Sequence, residues 1–343
     1  MVTTKTYDTN RREGCQLTTT PVLIDTDPGI DDALAMLLAL SSPEVSVEAI
    51  TTVAGNVTVE LGTANVFRIL DVVRPARPPR VARGAAAPLE RPLVTAAHVH
   101  GQDGLGNLDR LQEPDGRPRY PDPAVKVEML DGPDLILDTA ERYPGELVVV
   151  ALGPLTNLAL ALKRGAARLR LARRIVVMGG AVSVPGNVTP AAEFNFYVDP
   201  EAAAAVFNAG LPIELIPLDV TRQVLLTRAA LAEAVGRAPG RRARFVEDFS
   251  RFGFDFADSH GEGGIALHDP LAVAAAVDPG LVQLEPFHVD VECAGTHTRG
   301  MTVADRRDIA PDRKKAPNCR AALRVDVERS LRLFLERVCR TSA

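Results

Sequence analysis

The sequence has no tryptophan, only four cysteines and no long hydrophobic run that is free of charge. Because a long apolar segment is missing, and the first twenty residues lack the apolar core of a secretion signal, we predict neither a membrane span nor export. The cysteines form no CxxC pair and are too few for a disulfide framework, which favours a reducing compartment. We therefore expect a cytoplasmic protein with a flexible N-terminal tail at residues 1–20 and one folded domain at residues 21–343.

A strong charge of one sign is also missing. The net charge is −5 and the arginines are spread along the chain, so no basic face predicts binding to nucleic acid or to anionic lipid. A chain of 343 residues with 46% hydrophobic residues can bury a large core. A free small molecule is therefore the expected partner.

Segments of β-branched apolar residues alternate with segments of helical length that are rich in alanine and leucine. The apolar segments lie at residues 22–24, 47–53, 147–152, 175–178 and 213–218. This alternation predicts an α/β fold, a single domain with a mostly parallel central sheet flanked by helices. Two stretches rich in proline and arginine, residues 74–92 and 113–123, are interpreted as surface loops.

Most of the residues at which these strands end are suited to holding a polar ligand. They include Asp25, Asp27, Asn56, Leu152, Met178 and Asp219. In an open parallel sheet, ligands bind at the carboxyl ends of the strands. We therefore expect the functional site at this edge of the sheet.

The strongest local signal is the run DTDPGIDD at residues 25–32, which holds four carboxylates between a short strand and an apolar helix. Pro28 and Gly29 fold the chain back, so that Asp31 and Asp32 can face Asp27 across the turn. Carboxylates this close repel one another unless a cation lies among them, and all-oxygen ligands favour calcium or magnesium. Helix capping by Asp31 and Asp32 is the alternative, but it accounts for about one aspartate of the four.

Other catalytic motifs are missing from the sequence, among them GxxxxGK, GxGxxG after a strand, GxSxG and HExxH. The main rival is a magnesium-dependent aspartyl-phosphate phosphatase, in which Asp25 would be the nucleophile of a DxD pair. In that class a glycine and a hydroxyl residue normally follow the second aspartate, whereas Pro28 and Gly29 follow Asp27 here. A catalytically silent binding protein on the same fold is a third reading, which the intact acidic residues oppose.

The run at residues 25–32 resembles the hallmark DxDPGxDD of the inosine-uridine nucleoside hydrolase family. Further blocks follow in family order at residues 50–56 (ITTVAGN), 100–106 (HGQDGLG), 153–157 (GPLTN), 178–180 (MGG), 186–187 (GN), 193–195 (EFN), 199–202 (DPEA), 268–270 (HDP) and 298–300 (TRG). The resemblance covers nearly the whole chain from residue 21. It implies a nucleoside hydrolase-like catalytic domain with a Rossmann-like core, which splits ribonucleosides into ribose and free base and assembles as a homodimer or homotetramer.

The resemblance also implies roles for individual residues. One Ca²⁺ ion would be held by Asp27, Asp32, Asp269 and the backbone oxygen of Leu152, where family members often have threonine. The ribonucleoside would be bound by Asp31, Asn56 and Asn195 at the 2′ and 3′ hydroxyls, by Asn187 and Glu193 at the 5′ hydroxyl, and by Met178 along the sugar, with His100 bordering the site.

Cleavage of an N-glycosidic bond builds positive charge on the ribose and negative charge on the base. Asp27 is the expected general base for a metal-bound water, which attacks through an oxocarbenium-like transition state. His268, beside the expected ligand Asp269, is the expected proton donor to the base. Without tryptophan the indole stacking used by one purine-preferring branch is excluded, and the base-side candidates are His268, Phe252, Phe254 and Phe256. Base preference stays open.

Overall fold

The computed structural model describes residues 19–340. The tail predicted at residues 1–20 therefore lies outside the described residues, apart from its last two positions. Thr20 already belongs to the first strand, so the ordered sheet begins one residue before the predicted boundary.

Twelve strands occur in the described part of the chain. They are β1 (Thr20–Thr26), β2 (Val45–Thr52), β3 (Arg80–Arg83), β4 (Val148–Ala151), β5 (Arg174–Met178), β6 (Ile213–Ile216), β7 (Leu225–Leu226), β8 (Ile265–Ala266), β9 (Val282–Phe287), β10 (Val289–Val291), β11 (Thr302–Ala304) and β12 (Cys319–Val325). Eight of them form one sheet in the order β3-β2-β1-β4-β5-β6-β12-β9. All neighbours in it are parallel except β12 and β9, which are antiparallel.

Helices connect the strands. They are α1 (Ile30–Ala39), α2 (Val59–Val73), α3 (Ala97–His100), α4 (Gly132–Arg142), α5 (Thr156–Leu169), α6 (Phe194–Val198), α7 (Pro200–Phe207), α8 (Leu218–Thr221), α9 (Arg228–Arg237), α10 (Arg241–His260), α11 (His268–Val277) and α12 (Val327–Arg337). Several begin where a polar side chain accepts a backbone N–H, as Thr58 does for α2 and Asp131 for α4.

Two apolar cores cover the two faces of the sheet. One contains α1 and α11 together with Ile24 and Val150, and the other contains α4, α5 and α7 together with Leu23 and Val149. Successive residues of a strand point to opposite faces, and the apolar residues of the central strands β1 and β4 are buried on both, with Thr20 at the start of β1 partly exposed. The predicted α/β domain with a mostly parallel, helix-flanked sheet is confirmed.

The interpretation of residues 74–92 as a surface loop is wrong in part, because this stretch contains β3, which pairs with β2. Val81 and Ala82 are buried there, while arginines flank them on both sides. A strand of only four residues between prolines shows too little alternation to be recognised. No helix between residues 19 and 340 is long and apolar enough to cross a bilayer.

Candidate active site

A cavity of about 750 Å³ opens at the carboxyl ends of the central strands. Ten of the residues singled out in the sequence line it: Asp31, Asn56, His100, Leu152, Met178, Asn187, Glu193, Asn195, His268 and Asp269. They come from segments scattered between residues 31 and 269 of the chain. The edge of the sheet at which the ligand site was predicted is therefore where these residues meet.

The carboxylate of Asp32 fixes the turn between β1 and α1 through hydrogen bonds. One of its carboxylate oxygens accepts the hydroxyl of Thr26 and the N–H of Asp27, the latter at 3.3 Å. The other accepts the N–H of Gly29 at 2.9 Å and the side-chain amide of Asn56 at 3.0 Å. Four donors on one buried carboxylate hold it in a single orientation.

Asp27 lies behind the cavity wall and is fully buried. Its Oδ2 accepts the backbone N–H of Asn56 at 2.6 Å, while its Oδ1 has no hydrogen-bond partner. Burial and the nearby carboxylate of Asp32 raise its pKa well above the usual range. A Cβ at Gly55 or Gly153 would lie 2.1 Å or 2.6 Å from its oxygens, so only glycine leaves room for this carboxylate.

Three carboxylates lie close enough to hold one metal ion. Oxygens of Asp31, Asp32 and Asp269 lie within 4.8 Å of one another. Burial and the mutual repulsion of these groups raise the pKa of Asp269 well above its usual range and that of Asp31 to about 8. Asp31 Oδ1 and Asp27 Oδ1 are buried without partners, as expected for oxygens that face a cation. These donors fit a divalent ion that prefers oxygen.

The cluster differs from the predicted ligand set in one respect. Asp31, assigned by resemblance to the ribose, belongs to the close group of three, and Asp27 does not. The carbonyl of Leu152 lines the cavity and accepts the side-chain amide of Asn195 at 2.6 Å. A carbonyl oxygen has a second lone pair, so this bond leaves one site for a ligand. The assignment of Asp27, Asp32, Leu152 and Asp269 as the ligands stays a prediction.

Glu193 and Asn187 are held by the start of α6. The carboxylate of Glu193 accepts backbone N–H groups of Gly180, Asn195 and Phe196 at 2.8, 2.9 and 3.2 Å. Burial nevertheless raises its pKa to about 7. The side-chain oxygen of Asn187 accepts the N–H of Phe194 at 2.9 Å, which leaves its NH₂ group free to donate.

Two histidines of the cavity have defined partners. His268 Nδ1 lies 2.7 Å from the hydroxyl of Thr221, and His100 Nδ1 accepts the N–H of Ile30 at 3.1 Å. His100 therefore carries its proton on Nε2 when neutral. Burial lowers the pKa of each histidine to about 4, and the Arg222 guanidinium contributes to the effect on His268. Both rings are neutral at physiological pH.

On the side of the cavity away from the aspartates, the prediction for the phenylalanines needs correction. Of the three, Phe256 alone lines the cavity. Phe254 is buried beneath the guanidinium of Arg228, whose carbon lies 4.9 Å from the ring centre. Residues of a helix turn by about 100° each, so positions two apart in α10 face different surroundings. His260 stacks on Phe256 at 4.2 Å between ring centres.

Sequence reasoning missed Thr221, Arg222 and His260, although Arg222 and His260 line the cavity. Asp219, three residues before Arg222, was noted only because it follows a strand. Asp25, the nucleophile of the phosphatase reading, is fully buried and accepts hydrogen bonds from Thr51 at 2.5 Å and Asn157 at 2.7 Å. It does not line the cavity.

A family model described as inosine-uridine preferring nucleoside hydrolase matches residues 22–332 of this chain. The chain belongs to that family. It is therefore an enzyme that hydrolyses N-glycosyl bonds of ribonucleosides, and the recognition made from its motifs is confirmed.

Relatives of this nucleoside hydrolase cover most of its length. A pyrimidine-specific ribonucleoside hydrolase of Enterobacter sp. is 37% identical over 94% of this chain and 98% of its own. Uridine nucleosidase 1 of Arabidopsis thaliana is 38% identical over 80% of this chain and 79% of its own. Among solved structures, the purine-preferring ribonucleoside hydrolase from Gardnerella vaginalis is 34% identical, covers 93% of this chain and 98% of its own, and superposes with a TM-score of 0.83.

Proposed function

We propose that this enzyme is a calcium-dependent ribonucleoside hydrolase with uridine as its preferred substrate. The observation that carries the proposal is the group of three carboxylate oxygens within 4.8 Å, from Asp31, Asp32 and Asp269, at the wall of a cavity large enough for a nucleoside. A cavity with a buried acidic cluster in its wall suits a sugar whose transition state is cationic.

Asp27, Asp32, Asp269 and the carbonyl of Leu152 are the proposed ligands, with Asp31 alongside them. Together these residues would hold a calcium ion, which would supply Lewis-acid stabilisation to the 2′ and 3′ hydroxyls of the ribose and to the attacking water. Asn56 and Asn195 are within the same wall and can donate to, or accept from, those hydroxyls.

Asp27 is the proposed general base. Its Oδ1 is buried and unpartnered, so it can accept a proton from the attacking water without first breaking a hydrogen bond. Direct attack by water inverts the configuration at C1′.

His268 is the proposed donor to the departing base. With Thr221 at Nδ1 the ring is fixed, and Nε2 is the atom left to serve the base. A neutral imidazole is a weak acid, so a hydrogen bond that strengthens as negative charge grows is the expected contribution. His100 lies in the same wall and is a second donor through Nε2.

Uridine is proposed on the names of the relatives, since those from Enterobacter and Arabidopsis are described by pyrimidine or uridine. The test is a panel of uridine, cytidine, inosine and guanosine, with released ribose as the readout. Uridine is expected to give the highest kcat/KM. A preference for the purine nucleosides would contradict the base assignment while leaving the hydrolase activity intact.

A homodimer or homotetramer in the cytoplasm is also proposed. Light scattering on the purified protein measures the first point directly. A mass of one chain at micromolar concentration would contradict the assembly.

A further inference from the structure

One turn of helix, α8, faces the loop that brings Asn187 and Glu193 to the cavity. We name residues 181–193, between β5 and α6, the ribose loop. Ala181, Val182 and Ala192 at the ends of this loop are buried, whereas residues 183, 185, 187 and 188 between them are exposed, so apolar burial does little to fix this middle part. Its shape must depend largely on polar contacts.

Two charged residues of the α8 region supply such contacts from opposite ends of the turn. The carboxylate of Asp219 accepts the N–H of Val182 at 2.7 Å and the N–H of Ser183 at 2.8 Å. The guanidinium of Arg222 donates to the carbonyl of Pro185 at 3.0 Å and to that of Gly186 at 2.8 Å. The two side chains therefore bind four peptide groups within five consecutive loop residues.

Asp219 and Arg222 do not form an ion pair with each other, although their spacing would allow one. Asp219 and Arg222 are three apart, a spacing at which opposite charges on a helix commonly pair with each other. Across residues 19–340 neither forms an ion pair within 4.0 Å, and both turn to the loop backbone instead. Asp219 is 9% exposed, so its hydrogen bonds are largely shielded from water.

The clamped residues lead directly into Asn187. Gly186 packs so closely that an added Cβ would lie 2.1 Å from the carbonyl oxygen of Ala192, and Asn187 donates its N–H to the same oxygen at 3.2 Å. The side-chain oxygen of Asn187 also accepts a hydrogen bond from the backbone N–H of Phe194, the residue that follows Glu193. A shift at Pro185 or Gly186 is therefore passed to the Asn187 side chain.

We propose that Asp219 and Arg222 are positioning residues that hold the ribose loop so that Asn187 and Glu193 recognise the 5′ hydroxyl of the nucleoside. The inference rests on the proposed function, because it takes the 5′ assignment of those two residues from it. Neither charged side chain needs to touch the substrate. Arg222 also lines the cavity near His268, so the loop contacts are tested by the discrimination at the 5′ hydroxyl and not by the overall rate.

The test compares uridine with 5′-deoxyuridine in the wild-type enzyme, Arg222→Met and Asp219→Asn. The ratio of their kcat/KM values is expected to fall roughly tenfold in each variant, the scale of one lost hydrogen bond. The ratio of uridine to 2′-deoxyuridine is expected to stay constant, since the other end of the ribose is untouched. Arg222→Lys, which keeps a donor, should recover part of the 5′ discrimination.

Arg320→Gln is the matched control, because Arg320 is the second residue of β12 and pairs with Glu214 near the amino end of β6, whereas the cavity lies at the carboxyl ends of the strands. It should leave both ratios unchanged. Amide hydrogen exchange adds a readout that does not need activity: residues 182–188 should exchange faster in both clamp variants and not in the control. Equal loss of activity on uridine and 5′-deoxyuridine, unchanged loop exchange, or a wild-type enzyme indifferent to the 5′ hydroxyl would overturn the inference. Failure of the wild-type enzyme to release ribose from any nucleoside would instead count against the proposed function. Amide hydrogen exchange of the ribose loop would still test whether Asp219 and Arg222 hold it.

Discussion

His268 has one fixed side and one free side. Thr221 engages Nδ1, so the ring presents Nε2, and its neutral state makes it a donor at pH 7 only in the tautomer that carries the proton there. The buried threonine hydroxyl, able to accept or donate, adapts to that tautomer. The contribution of His268 should therefore depend on how much help the leaving base needs.

The substitution His268→Ala tests this dependence. Uridine should lose roughly 10²-fold in kcat, the usual scale for removing a general acid, while a nitrophenyl riboside, whose phenolate leaves unaided, should lose much less. Steady-state kinetics on both substrates, with the calcium content of the variant measured, give the answer. Equal losses on the two substrates at full calcium occupancy would show that His268 does not assist the leaving group.

At this scale the sequence indicated most of the polar residues that line the cavity. The motif at residues 25–32 and the later HDP at residues 268–270 marked acidic residues that the fold brings together. Thr221 and Arg222 escaped notice because a hydroxyl and a guanidinium carry no signature until the fold shows what they contact. Their partners, His268 and the loop carbonyls, are distant in sequence or unexceptional in type.

Among the elements, the ends of β1, β2 and β4 form a tight unit around one carboxylate. Gly153 and Gly55 approach Asp27 where any side chain would collide with it. The requirement is spatial, because neither glycine has a positive φ. Glycine at these positions therefore serves the site more than the fold.

Gly153→Ala should displace the Asp27 carboxylate, from which its Cβ would be 2.6 Å away. Activity on uridine should fall by roughly 10²-fold, the scale of a misplacement of about 1 Å at a reacting group. Gly236→Ala is the control, since that exposed position in α9 has nothing within 4 Å of its added Cβ. It should stabilise the protein by up to about 1 kcal/mol and leave kcat unchanged. Full activity of Gly153→Ala would refute the crowding argument.

Element types followed from apolar patterning wherever a segment was long enough to show it. The strands predicted at residues 22–24, 47–53, 147–152, 175–178 and 213–218 are all present. β3 and α8, of four residues each, are shorter than the window over which a period can be read. Both depend on contacts with segments that are distant in the sequence or not recognisable from it: β3 pairs with β2, and α8 packs against β6 and β12. A local pattern of residues therefore cannot predict either element.

At the scale of the whole molecule, the carboxylates buried in the interior make the free energy of unfolding depend on pH. Burial raises the pKa of Asp25 to about 6 and, with repulsion from Asp32, that of Asp31 to about 8, against about 3.9 in an unfolded chain. The folded protein then holds protons that the unfolded chain has released. The stability that this brings is full below about pH 4 and is lost as pH rises through 6 to 8.

The metal-free protein should therefore unfold more easily at pH 8 than at pH 5.5. Calcium should oppose this loss, because it binds the ionised carboxylates and binds the folded state alone. Thermal melts with calcium and with a chelator should differ on the order of 5 °C at pH 8 and by less at pH 5.5. A gap that is constant with pH, or larger in acid, would mean that the ion does not neutralise this cluster.

The central claim is that one calcium ion, held by the aspartate cluster, serves hydrolysis of a ribonucleoside. The most direct measurement is ribose release from uridine and from 2′-deoxyuridine by the same preparation, metal-loaded, chelated and resupplied with calcium. We expect activity on uridine that disappears on chelation and returns with calcium. The rate on 2′-deoxyuridine should be lower by on the order of 10³-fold, because this nucleoside lacks the 2′ hydroxyl that the site would bind. Activity untouched by chelation in a protein free of divalent metal, or equal rates on the two nucleosides, would contradict it.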